Sequence, residues 1–234
     1  EQGHSITGGA LTYNDKRNFV TDIQQHCPVP VTIENDAKCA ALAEAWKGSL
    51  VGCKNGVVVV LGTAVGGGIF LNGQLYKGSH FAAGELSFLL TDSWHAKGEP
   101  YHYWGHDGGS RGLCRAVEHI KRLPPKSVNG QQVFAWANEG DADVCEALDA
   151  YTYRLAMQFF NLQSLFDPDV IAIGGGISAQ PLLLQYIEQN MVYLEQHLPM
   201  HLTIPKVVRC HFMNDANLVG ALHHHLQITE TPVP

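Results

Sequence analysis

Glycine runs mark the first places in this sequence where chemistry could sit. The stretch "VVVVLGTAVGGGIFLNGQLYKG", residues 57–78, sets Gly62, Gly66, Gly67 and Gly68 between two apolar runs. Val57 to Leu61 has the composition of a strand buried on both faces. Ile69 to Leu71 resumes an apolar run, and Asn72-Gly73 is a two-residue hairpin signal. Glycines let a backbone approach another group closely, and successive N–H groups there form a nest for anions such as phosphate. An ordinary bulged hairpin is the plain alternative. A second run, Gly174, Gly175 and Gly176, follows the apolar Val170 to Ile173, where a strand-to-helix turn serving only packing is the plain reading. The chain contains no Gly-Lys-Ser/Thr, which excludes a P-loop. The first glycines lead into a strand and not a helix, which argues against a dinucleotide fingerprint.

Other reactive side chains give weaker signals. Cysteines 27, 39, 53, 114, 145 and 210 are scattered with no Cys-x-x-Cys pair, a pattern of reduced thiols in a cytoplasmic protein without a structural zinc site. His80, His95, His102 and His106 are irregularly spaced, which suits loop histidines better than metal ligands, and His223-His224-His225 sits in a helix-like segment. The net charge of −7 argues against general nucleic-acid binding. No apolar run reaches membrane-spanning length.

The elements that must position these residues alternate. A helix is expected over 16–27, a short strand over Val29–Ile33, and a helix over Ala37–Trp46 capped by Asn35 or Asp36 and stopped by Gly48. The hairpin follows; Leu113–Leu123 can be helical; 141–166 reads as a long amphipathic helix. A buried strand over Val170–Ile173, a helix over 181–197, a strand over Val207–Phe212 and a last helix complete the chain. Alternating strands and helices predict an α/β fold with a largely parallel sheet.

Taken together, "ENDAKCAALAE", "LGTAVGGGIFLNGQLYKG", "AGELSFL" and "DPDVIAIGGGIS" resemble, in order and spacing, the ROK family of sugar kinases and sugar-responsive repressors, and "NDANLVGAL" is similar to that family's last helix. The resemblance implies an actin-like ATPase (ribonuclease H-like) fold that transfers the γ-phosphate of ATP, with Mg²⁺, to a sugar hydroxyl. It implies phosphate contact for Gly62, Thr63 and Gly66 to Gly68, with Ala64 where the family often has Gly, and adenosine contact for Gly174 to Gly176. Asp36 matches the catalytic aspartate, a carboxylate that orients a sugar hydroxyl and accepts its proton; Asn35 would hold a neighbouring hydroxyl. Both also suit a simple helix cap. Glu85 matches a sugar-binding glutamate, His106 or Asp107 falls near a second one, and Gly8 and Gly9 resemble the sugar-side loop. Ser87-Phe88 stands where the family continues Gly-His, and the zinc cysteine cluster is absent, so a zinc-free, β-glucoside kinase-like branch is expected, with no metal site in the chain.

The same resemblance divides the chain into a partial N-terminal sugar-side lobe, 1–50, and a C-terminal nucleotide-binding lobe, 51–234. "EQGHSITGGAL" opens without Met and without the Asp-x-Gly-Gly-Thr turn that holds the other side of the phosphates. An N-terminally truncated chain is therefore expected, of doubtful activity alone. A cytoplasmic homodimer binding sugar and ATP, with neither nucleic acid nor membrane as partner, is the expected setting. A sugar-responsive repressor and a non-catalytic sugar-binding remnant are the alternatives.

Overall fold

The computed structural model describes residues 3–5, 12–92, 97–98, 100–199 and 203–229. In chain order these form α1 (Phe19–Gln24), α2 (Asp36–Lys47), β1 (Gly56–Leu61), β2 (Val65–Leu71), β3 (Gln74–Leu75), α3 (Trp104–Asp107), α4 (Ser110–Ile120), α5 (Gly130–Asn138), α6 (Ala142–Phe166), β4 (Val170–Gly174), α7 (Pro181–His197), β5 (Val207–Arg209) and α8 (Ala216–Ile228). The sheet has five strands in the order β3-β2-β1-β4-β5. Its β1–β2 and β2–β3 pairs are antiparallel, while β1–β4 and β4–β5 are parallel.

Alternation along β1 and β4 sorts their side chains between two layers. Val57, Val59, Leu61, Ile171 and Ile173 face the main core built with α4 to α7. Val58, Val170 and Ala172 face Ala41 and Leu42 of α2. The result is a sheet between two helical layers, and β1 is buried on both sides as its composition predicts.

Helix α2 is alanine-rich on its buried side, and small residues let backbones close in. A Cβ on Gly220 of α8 would fall within van der Waals overlap of the Cys39 carbonyl, so α8 crosses α2 in near backbone contact. Ala40, Ala43 and Ala216 fill this crossing. At the far end of the sheet, Asp169 Oδ2 accepts from the N–H groups of Lys54 and Asn55 at 2.8 and 2.9 Å, fixing the start of β4 beside the start of β1.

Four expectations shift. Val29–Ile33 is extended but pairs with no strand among the described residues, and Pro28 and Pro30 bring no N–H to a ladder. The last strand stops at Arg209, and the helix expected from Leu113 begins at Ser110. The hairpin's tight turn is Gly62-Thr63-Ala64. Gly66, Gly67 and Gly68 instead lie inside β2, opposite Val60, Val59 and Val58.

Candidate functional site

Asn35 caps α2, its Oδ1 accepting from the Lys38 N–H at 3.1 Å. Asp36 follows as the first helical residue, exposed, with Oδ1 taking the N–H of Ala37 at 2.8 Å. Capping and an exposed carboxylate thus coexist at one helix start. Behind them, Glu34 meets Lys77 Nζ at 2.5 Å. Burial pushes its carboxyl up, but the Lys77 ammonium and the Asn35 N–H outweigh this and hold it below the ordinary range. Cys39 is pushed up to about 11 by burial, with Glu34 and Asp36 adding to it, so its thiol stays protonated and is no nucleophile.

The glycines of β2 set where this helix start lies. A Cβ on Gly66 would stand 2.7 Å from Ala37 Cβ, and one on Gly68 would stand 2.4 Å from Ala41 Cβ. Both distances are impossibly short, so only glycine lets α2 press this closely on the strand. Gly67 points to the opposite face, where its Cβ would meet Leu86 Cδ1 at 2.5 Å. These three residues therefore serve packing that brings the first turn of α2 beside the Gly62–Ala64 turn.

Glu85 lies on that opposite face, at the head of a short 3₁₀ turn over Leu86–Phe88. Ser87 Oγ donates to the Val65 carbonyl at 2.5 Å, tying the turn to β2. Helix α3 packs on the same turn: a Cβ on Gly105 would meet Ser87 Oγ at 2.5 Å. His106 and Asp107 therefore sit in the neighbourhood of Glu85, joined to each other through Nδ1 and Oδ1 at 2.6 Å. Gly8 and Gly9, and with them the sugar-side loop, lie outside the described residues, as does His95.

The two glycine turns, far apart in sequence, meet in space. Gly174 pairs in register with Val60, so the ends of β1 and β4 lie side by side. Gly175 has φ +89°, and a Cβ there would strike the Leu61 carbonyl. Glycine is required on both counts. Thr63, Ala64 and Gly176 are exposed, while Ser110 N–H and Oγ donate to the Gly62 carbonyl at 2.8 and 2.9 Å and hold the first turn from behind. The exposed backbone and hydroxyl donors suit a phosphate chain. A cavity of about 140 Å³ opens beside Gly174 and Gly175, lined also by Asn214 and Asn217 at the start of α8. A larger one, about 350 Å³, lies at the other end of α2, by Gly48, Ser49, Arg209 and His211.

Among the described residues no three His, Cys, Asp or Glu side chains gather as a metal site, and no helix is long and apolar enough to cross a membrane. Sequence reasoning missed Lys38. It is 2% exposed, and its Nζ donates to Glu85 Oε1 at 2.9 Å and to the Phe81 carbonyl at 3.2 Å.

Comparison with known proteins agrees with this architecture. The model of the ROK family matches residues 5–227. A β-glucoside kinase of Klebsiella pneumoniae is 33% identical over 228 residues, covering 96% of this chain and 73% of that protein. An N-acetyl-D-glucosamine kinase of Aliivibrio salmonicida is 32% identical over 232 residues, covering 92% and 74%. A crystal structure of a ROK family protein from Streptococcus pneumoniae TIGR4, in complex with sucrose, superposes with a TM-score of 0.86 at 27% identity, covering 99% of this chain and 78% of that one. The fold is that of the actin-like ATPases. Within that class, the chain belongs to the ROK family.

Proposed function

We propose that this protein transfers the γ-phosphoryl group of ATP to a hydroxyl of a sugar or β-glucoside, with Asp36 as the general base. The observation that carries this reading is the convergence of two exposed glycine turns at the adjacent ends of β1 and β4, with the carboxylate-bearing start of α2 pressed against β2 beside them. The similarity to a β-glucoside kinase and an N-acetyl-D-glucosamine kinase supports the substrate class.

In this reading Gly62, Thr63 and the Gly174–Gly176 turn hold ATP through backbone N–H groups and the Thr63 hydroxyl; Gly66, Gly67 and Gly68 contribute by letting the parts close together. Magnesium arriving with ATP would neutralise charge between its phosphates. Asn35, Glu85 and the His106–Asp107 pair fix the sugar, with Gly8 and Gly9 as further contacts. Asp36 orients the attacking hydroxyl and takes its proton; phosphoryl transfer asks little else of the protein than positioning and charge stabilisation. The free thiols suit a cytoplasmic setting, and the family resemblance supports a homodimer without zinc. A repressor or a sugar-binding remnant would have no use for a base at Asp36.

The test is a coupled assay of the native full-length protein with methyl β-D-glucoside and N-acetyl-D-glucosamine as acceptors. Asp36→Asn should lower kcat roughly 10²- to 10⁴-fold while leaving sugar KM and melting temperature near those of the wild type. Near-normal turnover would reduce Asp36 to a helix cap.

A further inference from the structure

A buried lysine needs a reason, because an ammonium taken from water costs several kcal/mol unless it is paired. Lys38 has its pair in Glu85, on the far side of β2. Gly66 and Gly68 show their faces to α2, whereas Gly67 shows its face to Leu86. The helix carrying Asp36 and the turn carrying Glu85 therefore lie on opposite faces of one strand. Strand β3 pairs only with Phe70 and Leu71, so beside Gly66 to Gly68 the outer edge of β2 has no strand neighbour among the described residues. Lys38 spans from one face to the other where the Gly84 backbone lies against Gly67: it starts in the first turn of α2 and ends on Glu85 Oε1 and the Phe81 carbonyl. The lysine is sequestered, with its side chain 3% exposed, while the Glu85 side chain is 40% exposed. One carboxylate oxygen is committed inward and the other, Oε2, has no hydrogen-bond partner among the described residues.

We propose that Lys38 is a positioning residue for substrate binding: it fixes Glu85 as an oriented acceptor for sugar hydroxyls and sets its place relative to Asp36. The inference rests on Glu85 as a sugar ligand in the function proposed above. A charge-assisted hydrogen bond from a sequestered ammonium restricts the rotamer of the carboxylate. Removing it frees Glu85 to swing toward solvent. Affinity for the sugar then falls, whereas ATP, held at the ends of β1 and β4, is unaffected.

The experiment compares wild type, Lys38→Met, Glu85→Gln and the double variant in the native full-length protein, with the faster of methyl β-D-glucoside and N-acetyl-D-glucosamine as acceptor. Lys38→Met should raise KM for the sugar roughly 10- to 100-fold, the range for loss of one hydrogen bond to a charged group, with KM for ATP within about twofold. Glu85→Gln should raise the same constant, and the double variant should be no worse than Glu85→Gln alone, because Lys38 acts only through Glu85. If Lys38→Met does not fold, Lys38→Gln, which keeps a donor but no charge, is read by the same criteria. A raised sugar KM in Glu85→Gln with an unchanged one in the Lys38 variant overturns the role of Lys38 alone, as do losses that add in the double variant. An unchanged sugar KM in Glu85→Gln, or no turnover of either sugar by wild type, overturns the reading beneath it.

Discussion

Glu44 is fully buried and collects four hydrogen bonds at the last turn of α2: from Ser49 N–H and Oγ, at 2.7 and 2.8 Å, and from the N–H groups of His211 and Phe212, at 2.9 and 3.0 Å. It joins α2 to the loop between β5 and α8 with acceptors only. Glu44→Gln swaps one acceptor for an NH₂ that faces donors, so it should destabilise the fold by about 2–4 kcal/mol, read as a shift in urea midpoint with an unchanged slope. A midpoint like that of the wild type would show that the donors find other partners. Single residues differ in how far the sequence announces them. Asn35 and Asp36 are legible because a cap is a local event, settled within four residues. Lys38 is not, since what makes it special is Glu85, reached only when the chain folds back over β2. Read alone, it is one more good helix former on an amphipathic turn.

Among the elements, the long and strongly patterned ones are the most legible in the sequence. Helix α7 spans the expected 181–197, and α6 starts after its Asp141 cap and runs to Phe166. Helix α5 carries a capping box between Asn129 and Gln132, a four-residue signal legible in "NGQQ". The strand expected at Val29–Ile33 has apolar β-branched residues but no strand to pair with among the described residues, and strand formation depends on that neighbour more than on composition. The β2 glycines were legible as a close approach, but which surface approaches is a tertiary fact: it is α2 and the Leu86 turn. A Cβ at position 68 would be 2.4 Å from Ala41 Cβ. Gly68→Ala should therefore cost about 1–3 kcal/mol through overpacking, and adding Ala41→Gly should recover part of it despite a helix-propensity penalty of about 1 kcal/mol. Paired denaturation curves decide this; a Gly68→Ala protein as stable as wild type would mean that α2 can move off the strand freely.

At the scale of the molecule, α8 closes over α2 and the extended 30–35 segment through titratable groups. His225 Nδ1 lies 3.2 Å from Thr32 Oγ1, and the His223 ring stacks on Trp46 at 4.7 Å. Burial lowers the pKa of His224, with Glu34 pulling it back up and Lys77 pushing it down; His223 is lowered by burial and by His224. In the unfolded chain these imidazoles take protons near the ordinary value of about 6.5, whereas folded they resist until lower pH. Their contribution is therefore fully present above about 6.5 and is lost as pH falls through the depressed folded values. Glu34, also depressed, adds a second loss at lower pH, below the ordinary carboxylate range. Melting temperature should fall from pH 7.5 to 5.5, and His224→Gln should flatten that slope. An equal slope in the variant would assign the acid sensitivity elsewhere.

The placement of α2 on β2 has a consequence for how such a protein can change over time. On the proposed reading, the proton acceptor is set by backbone packing that leaves no room for a side chain at positions 66 and 68 unless α2 shifts, so a change there moves the acceptor itself. Glu85, His106 and Asp107, by contrast, sit at or on two short elements, the 3₁₀ turn over Leu86–Phe88, tied to β2 by Ser87, and helix α3. Most of the proposed sugar contacts, Asn35 apart, and the base then have separate addresses in the gene. Selection can rewrite the first to admit a new acceptor while the second stays fixed, and Lys38 is the tie that any such rewriting must keep or replace.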